Sequence, residues 1–133
     1  MFNKDFKYLD LGLLILRIGI GIMFIAHGWG KLIGGPDKWE IIGANISHLG
    51  ISFGFTFFGF MAAFAETFGG LFLALGIFWI PANLLLISTM AVAAMHHIAN
   101  GDGFGGYAHP VESAILFLSL IFIGPGKYRL ISK

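Results

Sequence analysis

The sequence predicts an all-α protein, a transmembrane four-helix bundle of two antiparallel hairpins, and three observations predict it. Of the 133 residues, 57% are hydrophobic and 11% charged, less than half the charged share of about 25% found in soluble domains. The apolar residues gather into stretches near the ~20 residues that cross a bilayer. Proline and glycine clusters, which end helices, stand between those stretches. The formal net charge of +1 gives no basic footprint for nucleic acid. The chain has no cysteine, which excludes dithiol chemistry, thiolate-held iron–sulfur clusters and disulfides. Its length suits one membrane domain.

The first span is predicted over residues 9–33. Arg17 interrupts its apolar core and no A-x-A-like site follows, which argues against a cleavable signal peptide. Residues 34–54 read as a loop, with a short amphipathic interfacial helix around 39–49. The second span is predicted over 55–80 and the third over 81–99, opened by Pro81, since proline is tolerated in a first helical turn. The tight turn between them makes a hairpin. Residues 100–109, NGDGFGGYAH, read as a glycine-rich loop covering the outer mouth of the bundle. The fourth span is predicted over 110–124, started by Pro110 and stopped by Gly124-Pro125-Gly126. Trp29, Trp39 and Trp79 fall near span ends, as an aromatic belt places them. Lys4, Lys7, Lys127, Arg129 and Lys133 lie on the side of the termini, and Lys31 and Lys38 on the other. That excess predicts both termini in the cytoplasm.

One carboxylate stands in the middle of the second span. At 100° per residue, Gly59, Ala62, Ala63, Gly69 and Gly70 fall on the same side of the helix as Glu66. Small residues on one face let neighbouring helices approach closely in lipid. An ionisable group there points into the bundle, is costly, and marks a functional site whose partner has to be found.

Counting 1.5 Å per residue from the inner span ends places Arg17 at roughly 13 Å, Glu112 at roughly 18 Å and Glu66 at roughly 21 Å. His96 and His97 fall at roughly 23 Å and His27 at roughly 28 Å, in a membrane core ~30 Å thick. Arg17 either snorkels to the interface or pairs with Glu66 or Glu112. The two acids either serve structure or form a pair that accepts and releases a proton near neutral pH. His96 and His97 are neighbours and point about 100° apart. His97 shares a face with Asn83, Met90, Ala93 and Ala94, which favours it over His96 as the bundle-facing ring. Either ring could instead bond to the nearby loop, where His109 is placed. Glu66, Glu112, His97 and His27 are acceptable metal ligands by type, but their spacing matches no compact metal motif. Phe64 and Phe68 could line an apolar slot for a ring-bearing lipid, or simply pack. Residues 101–106 lack the ending of a phosphate loop.

The stretch 14–32, LILRIGIGIMFIAHGWGKL, resembles the first-span signature of the DoxX family: an early arginine, then a His-Gly and a Lys-Leu pair. AETFGGLFLALG at 65–76 and GPGKYRL at 124–130 are similar to that family's second span and closing segment. The third-span histidine and the acid early in span four also fit. The resemblance implies a small four-helix protein of the bacterial inner membrane, linked to quinone-coupled oxidoreductase complexes. It carries over to Arg17, His27, Lys31, Glu66, His97 and Glu112.

Together these readings give a membrane subunit associated with electron transfer, holding a quinone-like ligand in the outer half of the bundle. Glu66 and Glu112 would handle protons, Arg17 would hold one acid ionised, and His97 or His96 would bond the ligand oxygen. His27, Lys31, Phe64 and Phe68 are secondary candidates for contacting it. The expected partners are the lipid bilayer, a quinone, and a protein partner or second copy. Two alternatives belong to other classes: a non-catalytic scaffold whose polar cluster fixes helix register, and a small-solute or proton transporter.

Overall fold

Apolar runs of this length have to satisfy their backbone internally, and they do so as helices. The computed structural model describes residues 6–129. It contains helices α1 (Leu9–Leu32), α2 (Pro36–Gly43), α3 (Phe55–Leu75), α4 (Trp79–Ala99) and α5 (Phe104–Ile123), with a 3-10 segment, Ala44–Leu49, continuing α2. No strand occurs among the described residues. Helices α1, α3, α4 and α5 are each long and apolar enough to cross a membrane. Lys4, Leu130 and Lys133, used in the sequence readings, lie outside the described residues.

The four long helices run alternately up and down, so α1 begins and α5 ends at one end, here the terminal end. The Lys127 N–H donates to Asp10 Oδ1 there at 3.1 Å. The opposite, distal end carries α2, the 3-10 segment and the α4–α5 turn. Helix α3 is central: α1, α2 and α4 all pack on it, and α5 packs on α4.

The contact of α1 with α3 is a glycine seam. A Cβ on Gly21 would stand 2.6 Å from the Gly70 carbonyl oxygen, and one on Gly70 would stand 2.7 Å from that of Gly21. A Cβ on Gly28 would overlap the backbone of Thr67. Helix α2 crosses the first turns of α3 in the same way, with Gly43 against Phe55 and Gly59 against the Trp39 carbonyl. Backbones meet where side chains are absent, as expected of helices packing in lipid. Large side chains join the remaining faces. Phe24 of α1 meets Phe117 of α5 edge-on, with ring centroids 5.1 Å apart, inside a core that also holds Leu13, Leu73, Leu86, Met90 and Leu120.

The Trp79 indole N–H donates to the Leu120 carbonyl at 2.7 Å, tying α4 to α5. Trp79→Phe keeps a ring and loses the donor. It is expected to lower stability by about 1 kcal/mol, read as a fall in the unfolding midpoint in micelles.

Two span limits differ from the sequence expectation, each for a local reason. Span two stops at Leu75, not residue 80. Gly76 takes the left-handed conformation, and its N–H and that of Ile77 both bond to the Phe72 carbonyl, at 2.8 and 3.1 Å, closing the helix as a C-terminal glycine does. Pro81 then sits in the first turn of α4, whose first residue is Trp79. Span four starts at Phe104, six residues before Pro110, so much of the expected glycine-rich cover is the opening of α5. Pro110 lies inside the helix and removes one ladder bond. Gly106 leaves room that a side chain would fill: a Cβ there would come within 2.6 Å of Asp102 Cβ and 3.2 Å of His97 Nδ1.

Candidate functional site

Glu66 lies midway along α3, only 2% exposed, on the face it shares with Gly59, Ala63, Gly69 and Gly70, all buried. Its partner is Lys31. The ammonium Nζ donates to Glu66 Oε1 at 2.7 Å, and the two side chains are 33% and 3% exposed. Lys31 is the penultimate residue of α1, so its side chain turns back from the helix end toward the acid. The Trp39 indole N–H donates to the Lys31 and Leu32 carbonyls at 3.1 and 3.2 Å. That pair of bonds covers the C-terminus of α1 and fixes the backbone from which Lys31 reaches.

The ion pair stands between two cavities and lines both. The larger, about 260 Å³, lies between α3 and α4 beneath α2 and the 3-10 segment. Its walls include Ile42, Ile46, Phe58, Met61, Leu85 and Val92. Ser88 and Thr89 also line it, but their hydroxyls donate to the Leu84 and Leu86 carbonyls of their own helix. The free polar chemistry of this chamber is therefore concentrated at the ion pair, with Asn45 contributing from the 3-10 segment. The smaller cavity, about 180 Å³, draws on all four long helices: Phe24 and His27 of α1, Glu66 of α3, His97 of α4, and His109 and Pro110 of α5. His97 Nδ1 lies 2.7 Å from Asp102 Oδ2. With the Nδ1 proton directed at that carboxylate, Nε2 is the nitrogen left to accept or give a proton.

Arg17 corrects the sequence reading. It is 1% exposed, and its partners are carbonyls: Nε donates to Leu73 at 3.3 Å, Nη1 to Pro125 at 2.9 Å and Nη2 to Ala74 at 3.1 Å. Those of α3 belong to its last turn, where carbonyls lack intrahelical donors and the helix dipole is negative. They stand about 10–12 Å along α3 from Glu66, so the guanidinium holds the terminal end together and leaves the acid to Lys31.

Glu112 is also placed differently. Helix α5 buries Pro110, Ser113, Phe117 and Leu120, and Glu112, about 100° away from Ser113, is exposed and lines neither chamber. The expected carboxylate pair is therefore not assembled. The expected metal set is not assembled either: Glu112 stands apart from the chamber that Glu66, His27 and His97 line, and among the described residues no three histidine or acidic side chains could hold an ion.

His96 turns away from both chambers. Its Nε2 lies 3.1 Å from Asn100 Nδ2, and its ring stacks near His48 at 5.7 Å. Phe64 and Phe68 belong to a row of rings along α3, with centroids 4.6 Å apart, and line neither chamber. His27 and Lys31 do reach the site. Sequence reasoning missed Asp102 as the partner of His97 and left His109 in a loop. One signal was available for His109, which lies one helical turn before Ser113 on the Ser113–Phe117–Leu120 stripe.

The DoxX family model matches residues 12–98, about two-thirds of the chain. The chain belongs to the DoxX family. No curated protein and no solved structure matches it. The DoxX match takes in α1, α2, α3 and nearly all of α4, and with them Arg17, His27, Lys31, Glu66, His96 and His97. Helix α5, which supplies His109 to the smaller chamber and carries Glu112, lies beyond the DoxX match.

Proposed function

We propose that this DoxX-family chain is the membrane subunit of an oxidoreductase-linked system and holds a quinone-like ligand in the larger chamber. One observation carries the reading: a chamber with largely apolar walls ends on a half-buried ion pair. An apolar body with few, fixed polar groups suits that setting, since binding sites combine apolar walls with a small number of oriented donors. A ring carbonyl seats on the ammonium of Lys31 and takes the donor now given to Glu66. The apolar part of the ring lies along Met61, Leu85 and Val92. The chain supplies binding and orientation, and the redox centre belongs to a partner protein. The terminal excess of Lys and Arg supports both termini in the cytoplasm, and the DoxX family suggests a bacterial inner membrane.

The test is a titration with a short-chain quinone, followed by tryptophan fluorescence, since Trp39 is bonded directly over Lys31. Saturable quenching is expected, and Lys31→Met should weaken it at least tenfold, the loss of a charge-assisted hydrogen bond. Equal affinity in the variant would remove the pair from the binding site. Arg17 favours a second reading, the scaffold, because a buried cation there serves only backbone carbonyls. In that reading Lys31→Met and Glu66→Gln leave quinone response absent throughout and partner association unaltered.

A further inference from the structure

The smaller chamber joins the Lys31–Glu66 ion pair to the distal end. Glu66 and Lys31 form its inner wall, with Met90 and Ala93, and they are shared with the larger chamber. The titratable groups facing it come from every long helix: His27 and Lys31 from α1, Glu66 from α3, His97 from α4 and His109 from α5. Among the described residues His97 is the chamber histidine with a carboxylate partner, Asp102. That pair is more than one-third exposed, so it borders both the chamber and the exterior. A cavity of about 180 Å³ lined by such groups has room for several bridging waters.

We propose that this chamber is a proton port for the carboxylate of Glu66, with His97 as the relay and Asp102 as its positioning residue. The inference rests on the quinone reading of the larger chamber. A ring carbonyl that seats on the Lys31 ammonium draws it from Glu66. A buried carboxylate stripped of its cation is neutralised by taking up a proton. The larger chamber offers none, because apart from the ion pair its lining has no titratable side chain. The smaller chamber does. His97 in its protonated form gives the Nε2 proton through chamber water to a Glu66 oxygen: one N–H bond breaks and one carboxyl O–H bond forms. His97 is then reprotonated from the exterior, with Asp102 holding the ring so that Nε2 stays turned inward. No electron moves in this step, and one proton enters for each ligand bound.

The experiment mixes the full chain, in weakly buffered micelles, with a short-chain quinone. Tryptophan fluorescence reports binding while a pH-indicator dye reports proton uptake. The wild type should take up about one proton per quinone, in step with the fluorescence change. Glu66→Gln should show no uptake at quinone concentrations that saturate its own fluorescence change, whatever its affinity. In His97→Ala the uptake should lag the fluorescence at least tenfold, and added imidazole should restore it. Asp102→Asn, at an exposed position, is a second variant suited to stable folding and should lag severalfold. Binding without uptake in the wild type, or uptake in step with binding in both His97→Ala and Asp102→Asn, would overturn the port and leave the quinone reading standing. Absence of saturable fluorescence in the wild type would overturn both.

Discussion

Arg17→Met is expected to destabilise the protein by about 2–6 kcal/mol, the sum of two stranded carbonyls at ~1–3 kcal/mol each. Three carbonyls accept from the guanidinium, but that of Leu73 also accepts from the Gly76 N–H at 3.2 Å, which leaves those of Ala74 and Pro125 to bear the loss. No water stands ready in a membrane interior to replace the donor. Methionine fills much of the volume, so the change reports the hydrogen bonds more than a cavity. Arg17→Lys should recover only part of the loss, because an ammonium on a flexible stem lacks the planar fork that reaches three acceptors at once. The measurement is the unfolding midpoint in mixed micelles. A midpoint equal to that of the wild type would show that the segment after α5 is held by other contacts.

Gly59→Ala should be about as damaging, at the upper end of the ~1–3 kcal/mol typical of overpacking or beyond it. The new methyl would overlap the Trp39 carbonyl, and backbone cannot rotate aside as a long side chain can. Helix α2 has to lift from α3. The larger chamber then loses the cover provided by Ile42 and Ile46, and the indole of Trp39 leaves the carbonyls of Lys31 and Leu32. Quinone quenching should fall with stability, and Trp39 emission should shift to the red as the ring meets water. Gly30→Ala is the matched control, because a Cβ there meets nothing within 4 Å. Its effect should stay within about 0.5 kcal/mol, as at other sites without a special constraint. Equal behaviour of the two variants would mean that α2 does not depend on this contact.

Much of the architecture was legible because its causes lie in local pattern. Hydropathy gives four spans, and the clustering of Gly59, Ala63, Gly69 and Gly70 around Glu66 gives the inward face of α3. In the site, the inward direction of Glu66 was legible and its pairing was not. Lys31 stands at a helix end, where a lysine ordinarily reaches for the interface, and nothing in periodicity shows it folding back to an acid. Arg17 chose carbonyls, which carry no signature in the amino-acid code because every residue has one. Glu112 was misplaced by depth counting, which fixes height but not direction. The spacing of Ser113, Phe117 and Leu120 held the direction and would have turned Glu112 outward.

The separations between these polar partners along the chain set an order of assembly during synthesis. Lys31 precedes Glu66 by 35 residues, so the cation is made before the acid, and the second long helix can enter the bilayer with its neutralising neighbour already synthesised. Arg17 is different: its acceptor at Pro125 arrives 108 residues later. The first helix therefore waits, with one guanidinium donor unmatched, until Pro125 is made.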